Sequence, residues 1–361
     1  MAEASQSVGD GPRAGGVAAF DLPKRRARRR RLLALETDSR GVPGAVARAA
    51  VEAFTQTGEA VLDPFCEGGE AVAQAAWAGR RALAVTRRPM TAIVMQAILA
   101  PPAPRAVVKR LRELQNDMFY GDASGEPEAI RRMFDPRALS QLIHLRDQLD
   151  VESGVDFFIA AMTLALLHRG ALASRRPAGR RGPKSMPALP RAVFSALLVW
   201  QERLLGRGLP RNEWRLWHGQ GTMNAALIET LKRENVALIL GAAPPLEEAA
   251  PSECSDPRAW FLGMDGRGAR RKKARRSDVP GCLSFLLDES RDYYEILRPG
   301  GVCALWLHDA VLKGHPNRTV AMAERLWRHL SENAVPFSLR GVASPSSSPS
   351  ARLLILMKTE S

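Results

Sequence analysis

The chain has 361 residues, 45% of them apolar, with 52 Lys+Arg against 38 Asp+Glu and a net charge of +14. That length buries a sizeable core in one large or two smaller domains. The charge favours polyanions, nucleic acid before anionic membrane, with solvated arginines of an Ala/Arg-rich composition as the plainer alternative. Four scattered cysteines (Cys66, Cys254, Cys282, Cys303) form no CxxC pair. They argue against a zinc site or a disulfide framework and for a reducing compartment. The N-terminal stretch lacks a signal-peptide core, and the apolar run at 157–167 is too short for a bilayer. A soluble, cytoplasmic protein with no metal and no membrane partner is expected.

Residues 1–19 are rich in Gly, Ala and Ser without periodicity and read as a disordered tail. Seven cations follow in eight residues: Lys24, Arg25, Arg26, Arg28, Arg29, Arg30 and Arg31. Such a block is a solvated solubility tag or a phosphate clamp that binds without reading sequence. The density of the block favours the clamp. A helix is predicted over 43–54, then a strand ending at Asp63, a Gly68-Gly69 turn and a helix over 71–77. A second unit has a strand over 81–85 and a helix over 89–99 that opens on Pro89. Two βα units in succession predict a parallel, doubly wound α/β sheet with its ligand at the strand C-termini.

The turn Asp63-Pro64-Phe65-Cys66-Glu67-Gly68-Gly69 resembles the DPFCGSG motif of amino-directed DNA methyltransferases, which methylate N6 of adenine or N4 of cytosine. The resemblance implies a loop that wraps S-adenosylmethionine (SAM), with Asp63, Phe65, Cys66, Gly68 and Gly69 at the cofactor. Some other nucleotide-binding turn is the alternative on this motif alone. The family's His-Pro-Tyr-Pro-like segment is replaced by Ser39-Arg40-Gly41-Val42-Pro43.

Residues 104–210 change character, with helical periodicity over 107–118, 127–133, 136–149, 156–168 and 192–205. A Gly/Pro loop over 173–190 carries Arg175, Arg176, Arg180, Arg181 and Lys184. Leu167-His168-Arg169-Gly170 and Ser185-Met186-Pro187 resemble the signature of a helical insert in a bacterial branch of that family. Target recognition and a plain structural lid both fit; His168, ending an apolar helix, reads as structural.

The second half returns to α/β. Strands are predicted over 214–220, 236–240, 302–307, 335–342 and 353–357, and helices over 224–233, 285–297 and 319–330. A basic run over 267–276 holds Arg270, Arg271, Lys272 and Lys273. The Leu297-Arg298-Pro299-Gly300-Gly301 turn and the closing hairpin resemble the end of Class I methyltransferases. The resemblance therefore implies a Rossmann-like doubly wound sheet with an antiparallel last strand, plus a helical insertion. The expected organisation is a basic tail (1–35), the SAM-loop half (36–103), the insertion (104–211) and the second half (212–361).

The catalytic motif that the resemblance implies, Ser/Asp/Asn-Pro-Pro-Tyr, stands here as Ala243-Pro244-Pro245-Leu246. Its carbonyls survive, but the side-chain acceptor for the target amine and the stacking ring are gone. Losing both costs several kcal/mol, or roughly a few powers of ten in rate. On the cofactor side, the family's middle glycine is Glu67 and its ribose-binding acid is Thr86, followed by Arg87 and Arg88. Gln220 replaces an aspartate but keeps an amide oxygen for the adenine amine. Trp260-Phe261-Leu262-Gly263 again matches the amino-methyltransferase branch. Four departures along one pathway predict a degenerate member that binds nucleic acid, DNA before RNA, with weak or no activity. An active SAM-dependent N6-adenine/N4-cytosine enzyme is the second reading. The third is a non-enzymatic nucleic-acid-binding subunit beside a protein partner.

Overall fold

The computed structural model describes residues 41–117, 122–150, 153–168, 192–205, 213–218, 223–244, 256–264, 278–312, 315–344 and 350–359. The chain opens with α1 (Gly44–Phe54), β1 (Ala60–Asp63), α2 (Glu70–Trp77), β2 (Arg81–Thr86) and α3 (Pro89–Leu99). β1 is buried along its whole length, which is why its apolar run shows no alternation. The insertion follows as α4 (Pro104–Asn116), α5 (Glu128–Met133), α6 (Pro136–Gln148), α7 (Gly154–His168) and α8 (Val193–Leu204). Then come β3 (Trp214–His218), α9 (Ala225–Lys232), β4 (Val236–Ala242), α10 (Pro257–Phe261), α11 (Val279–Ile296) and β5 (Leu297–His308). The chain closes with β6 (Ala310–Leu312), β7 (His315–Val320), α12 (Met322–Glu332), β8 (Phe337–Ala343) and β9 (Ala351–Lys358).

Seven strands form one sheet in the order β3-β2-β1-β4-β5-β9-β8. β1 to β5 run parallel, and β9 lies antiparallel between β5 and β8. The chain moves outward from β1 to β3, then crosses back to lay β4 on the other side of β1. With the antiparallel strand lodged next to the far edge, this is the Class I methyltransferase fold. The reversal between β1 and β4 leaves a crevice at their C-terminal ends, the usual ligand position of such sheets.

Alternate strand residues feed two cores. Val61, Leu238 and Ala304 join the core that α1, α2 and α3 cover. Leu62, Ile239 and Leu305 join the core under α11 and α12. The insertion does not stand apart, because its buried side chains belong to the first of these cores. α7 is buried from Phe158 through Leu167 and packs on α3, so its all-round apolar character reflects a central position and not a membrane. Among the described residues no helix is long and apolar enough to cross a bilayer.

Several elements differ from the sequence expectation. α11 begins at Val279 and not at 285, because Asp278 caps it, accepting from the Gly281 N–H at 2.8 Å, with proline in the first turn. β5 begins at Leu297 and not at 302, because the Arg-Pro-Gly-Gly turn is drawn into the ladder through a register shift against β4. β6 and β7 pair as a separate ribbon that no alternation announces, and the following helix starts at Met322, later than predicted.

Candidate functional site

Asp63 ends β1 and is almost wholly buried. Its Oδ1 accepts from the Phe65 N–H at 3.1 Å and the Cys66 N–H at 2.9 Å, an Asx turn that swings the chain off the sheet. Burial pushes its carboxyl up to about 7, against the pull of the two N–H bonds and with help from the charge of Glu67. The turn has no spare room below: a Cβ on Gly241 of β4 would come 3.0 Å from Pro64 and 3.2 Å from Asp63 Oδ1. Gly69 caps α2 in the left-handed region (φ 70°), and a Cβ there would meet Met95 Sδ, so the position requires glycine.

The neighbouring loop closes over this turn. Thr86 ends β2, fully buried, and its Oγ1 accepts from the Arg88 N–H at 3.2 Å. Arg87 and Arg88 then diverge. Arg88 Nη2 lies 3.1 Å from Glu67 Oε2, an ion pair between mostly buried side chains. The Glu67 carbonyl also accepts from Thr91 Oγ1 at 3.3 Å. Arg87 turns to the other face, 4.0 Å from the buried Glu289 and 5.8 Å from the Phe285 ring centre. Tyr293 donates to Glu289 at 3.1 Å, and burial first, then the Glu289 charge, holds its phenol well above the usual range. The Phe65 ring packs into this cluster, 6.2 Å from Phe285 and 6.3 Å from Tyr293. Tyr293→Phe removes the bond to Glu289 inside the core and is expected to cost about 1–3 kcal/mol, read as a lower urea midpoint at unchanged slope.

Asp63, Phe65, Cys66, Gly68, Gly69, Thr86, Ala243 and Pro244 are thus gathered at the C-terminal ends of β1, β2 and β4. The Phe65 ring and the Cys66 side chain, however, face the interior. Gly68 is backed by Gly41, whose Cβ would come 3.2 Å from Gly68 Cα. The N–H of Ala243 donates to the Trp306 carbonyl at 3.0 Å, so the end of β4 is still held by β5. Gln220, Pro245 and Leu246 lie outside the described residues. So do Lys24, Arg25, Arg26, Arg28, Arg29, Arg30, Arg31, Arg175, Arg176, Arg270, Arg271, Lys272 and Lys273.

α10, which follows the Pro-Pro motif in sequence, docks on the insertion. Trp260 Nε1 donates to Glu126 at 2.5 Å, and Arg146 reaches Glu126 at 3.0 Å while stacking 5.1 Å from the Trp260 ring centre. Burial opposes ionisation of Glu126, but these donors outweigh it and hold the carboxyl below its usual range.

No family model matches the chain, and no curated protein matches it. A solved structure, the rRNA methyltransferase aviRa from Streptomyces viridochromogenes, aligns over 88% of this chain and 86% of that one, with 11% identity and a TM-score of 0.38. The fold rests on the strand order and not on so remote a likeness.

The fold implies SAM at this crevice, and the described residues fit it poorly. The end of β2 offers no acid for the ribose hydroxyls, and the Thr86 hydroxyl is engaged in its own turn. The one carboxylate introduced into the loop, Glu67, is held by Arg88 across the same gap. The two residues whose importance sequence reasoning missed are Arg88 and Glu289. Glu289 had a visible signal: with Leu286, Ser290 and Tyr293 it occupies the buried stripe of α11, an acid at core spacing.

Proposed function

We propose that this chain is a nucleic-acid-binding relative of the amino-directed DNA methyltransferases whose cofactor crevice is closed and whose methyl transfer is weak or absent. The observation that carries the reading is the Glu67–Arg88 ion pair at 3.1 Å, which ties the β1–α2 turn to the β2–α3 turn. Glu67 stands where the resemblance requires open glycine backbone, and Arg88 lies two residues beyond Thr86, the position of the family's acid. Ala243, without a side-chain acceptor, supports the same conclusion for the chemical step. The net charge of +14 and the basic runs at 24–31 and 267–276 support a polyanionic partner, with DNA preferred to RNA through the family resemblance. The insertion, residues 104–211, is the target-recognition part in this reading. The docking of Trp260 on Glu126 and Arg146 places the segment after β4 against it. A protein partner would then supply the catalysis that this chain lacks.

The test is calorimetric titration of the purified full chain with SAM and with its demethylated product, beside anisotropy titrations with duplex DNA and with RNA. No saturation by SAM up to about 1 mM, a free energy weaker than roughly −4 kcal/mol, is expected. Duplex DNA should bind with a steep salt dependence. Micromolar SAM binding followed by methylation of DNA would replace this reading with that of a working enzyme.

A further inference from the structure

The outer face of α4 has no part in the crevice, and nothing in the packing of the insertion explains its charge. Val107, Leu111 and Leu114 bury the inner face, which packs on α7 and α8. Arg110, on the flank, reaches the buried Asp156 with a two-pronged contact at 2.9 and 3.0 Å. That pair fastens the helix to the start of α7. Arg105, Lys109 and Arg112 point the other way and are exposed. Their spacing, i, i+4 and i+7, sets them in one row over about 10 Å of helix. Among the described residues Arg105 and Arg112 have no acid within ion-pair distance. The one acid of α4, Glu113, lies 3.8 Å from Lys109 and 3.9 Å from Arg110, towards the flank. The row shares one open face of the helix with Pro104, Val108, Glu113 and Asn116.

We infer that this face of α4 is a phosphate-binding surface for nucleic acid, separate from the basic runs at 24–31 and 267–276. A rigid helix stapled by its other side holds the three Cα positions in register, so that only the side chains are ordered at binding. B-DNA carries one negative charge per roughly 1.7 Å of axis, so a duplex laid along this row meets at least as many phosphates as there are cations. Val108 is the apolar residue between the charged ones, and the side chains offered are those that position a backbone without reading bases. The surface therefore contributes affinity and orientation and no sequence preference. The inference rests on the nucleic-acid-binding half of the proposed function and is independent of the state of the crevice.

The test uses the full chain and the variant Arg105→Gln/Lys109→Gln/Arg112→Gln, titrated with duplexes of unrelated sequence over a range of salt. Loss of three phosphate contacts should make the slope of log K against log salt shallower by about 2–3. Affinity should fall by a similar factor on every sequence. All three side chains are exposed, so the thermal midpoint should not move. Should the triple variant lose stability, Arg112→Gln alone should lower the slope by about 0.9. A folded triple variant with the wild-type slope overturns the inference while the nucleic-acid reading stands. A wild-type chain that binds no duplex overturns both. If the substitutions weaken binding to anionic vesicles but not to DNA, the face belongs to a membrane surface and the inference is wrong.

Discussion

The double variant Glu67→Gly/Thr86→Asp is expected to bind SAM in the micromolar range where the natural chain shows no saturation. Two effects combine. Glycine at 67 removes one partner of the ion pair that joins the two turns and returns open backbone to the loop. Asp at 86 can keep the local turn, because its carboxylate can accept from the Arg88 N–H as the Thr86 hydroxyl does at 3.2 Å. Its second oxygen is then available for ribose hydroxyls, and charge-assisted bonds of this kind are worth about 1.5–3 kcal/mol each. One such bond gives at least about a tenfold gain and two give about a hundredfold or more. Calorimetry decides the matter. A natural chain that binds SAM as tightly as the double variant would show that the ion pair closes nothing. If the double variant stays blind while remaining folded, the missing affinity lies elsewhere, first at Gln220.

Much of this architecture can be read from local signals. The strand–turn–helix at Asp63 is legible because Asp, Pro and Gly each specify backbone geometry over a few residues, and Asp63 makes the two N–H bonds that its position predicts. The closing hairpin is legible because 353–357 is an unbroken apolar run beside a turn-rich loop. The pairing of Glu67 with Arg88 is not legible in the same way. Glu67 and Arg88 are twenty-one positions apart, and each alone looks like the loss of a family feature. Only the arrangement of the two turns makes them partners. Glu289 is only half legible: it keeps the core spacing of α11, yet it stands in the run Asp288-Glu289-Ser290-Arg291-Asp292, which is charged like a solvated helix face. In the fold it meets Arg87 from the turn after β2 and Tyr293 one turn on along α11. The first residue of β5 was misread because glycine and proline punctuate a chain without saying whether the next strand has already begun.

The largest effect on stability is expected from Asp63→Asn, and its size depends on pH. The carboxyl of Asp63 titrates at about 7 in the folded chain, against an ordinary value of 3.8. Between these values the native state holds a proton that the unfolded chain has released. Stability therefore falls as pH rises from about 4 to about 7, by up to roughly 1.4 kcal/mol per unit. The whole penalty is on the order of 4 kcal/mol, complete above the folded-state value. Asparagine keeps an oxygen for the Phe65 and Cys66 N–H groups, which lie 3.1 and 2.9 Å from Asp63 Oδ1, and it carries no charge into the buried turn. The variant should thus be clearly more stable than the natural chain at pH 8, close to it only near pH 4 and below, and nearly flat between. Urea unfolding at several pH values measures this directly. An equal slope in both proteins would mean that Asp63 stays ionised throughout, with its two N–H donors outweighing burial. In that event the turn would hold a fixed negative charge at the mouth of β1, and a cationic ligand such as the sulfonium of SAM would again be favoured there.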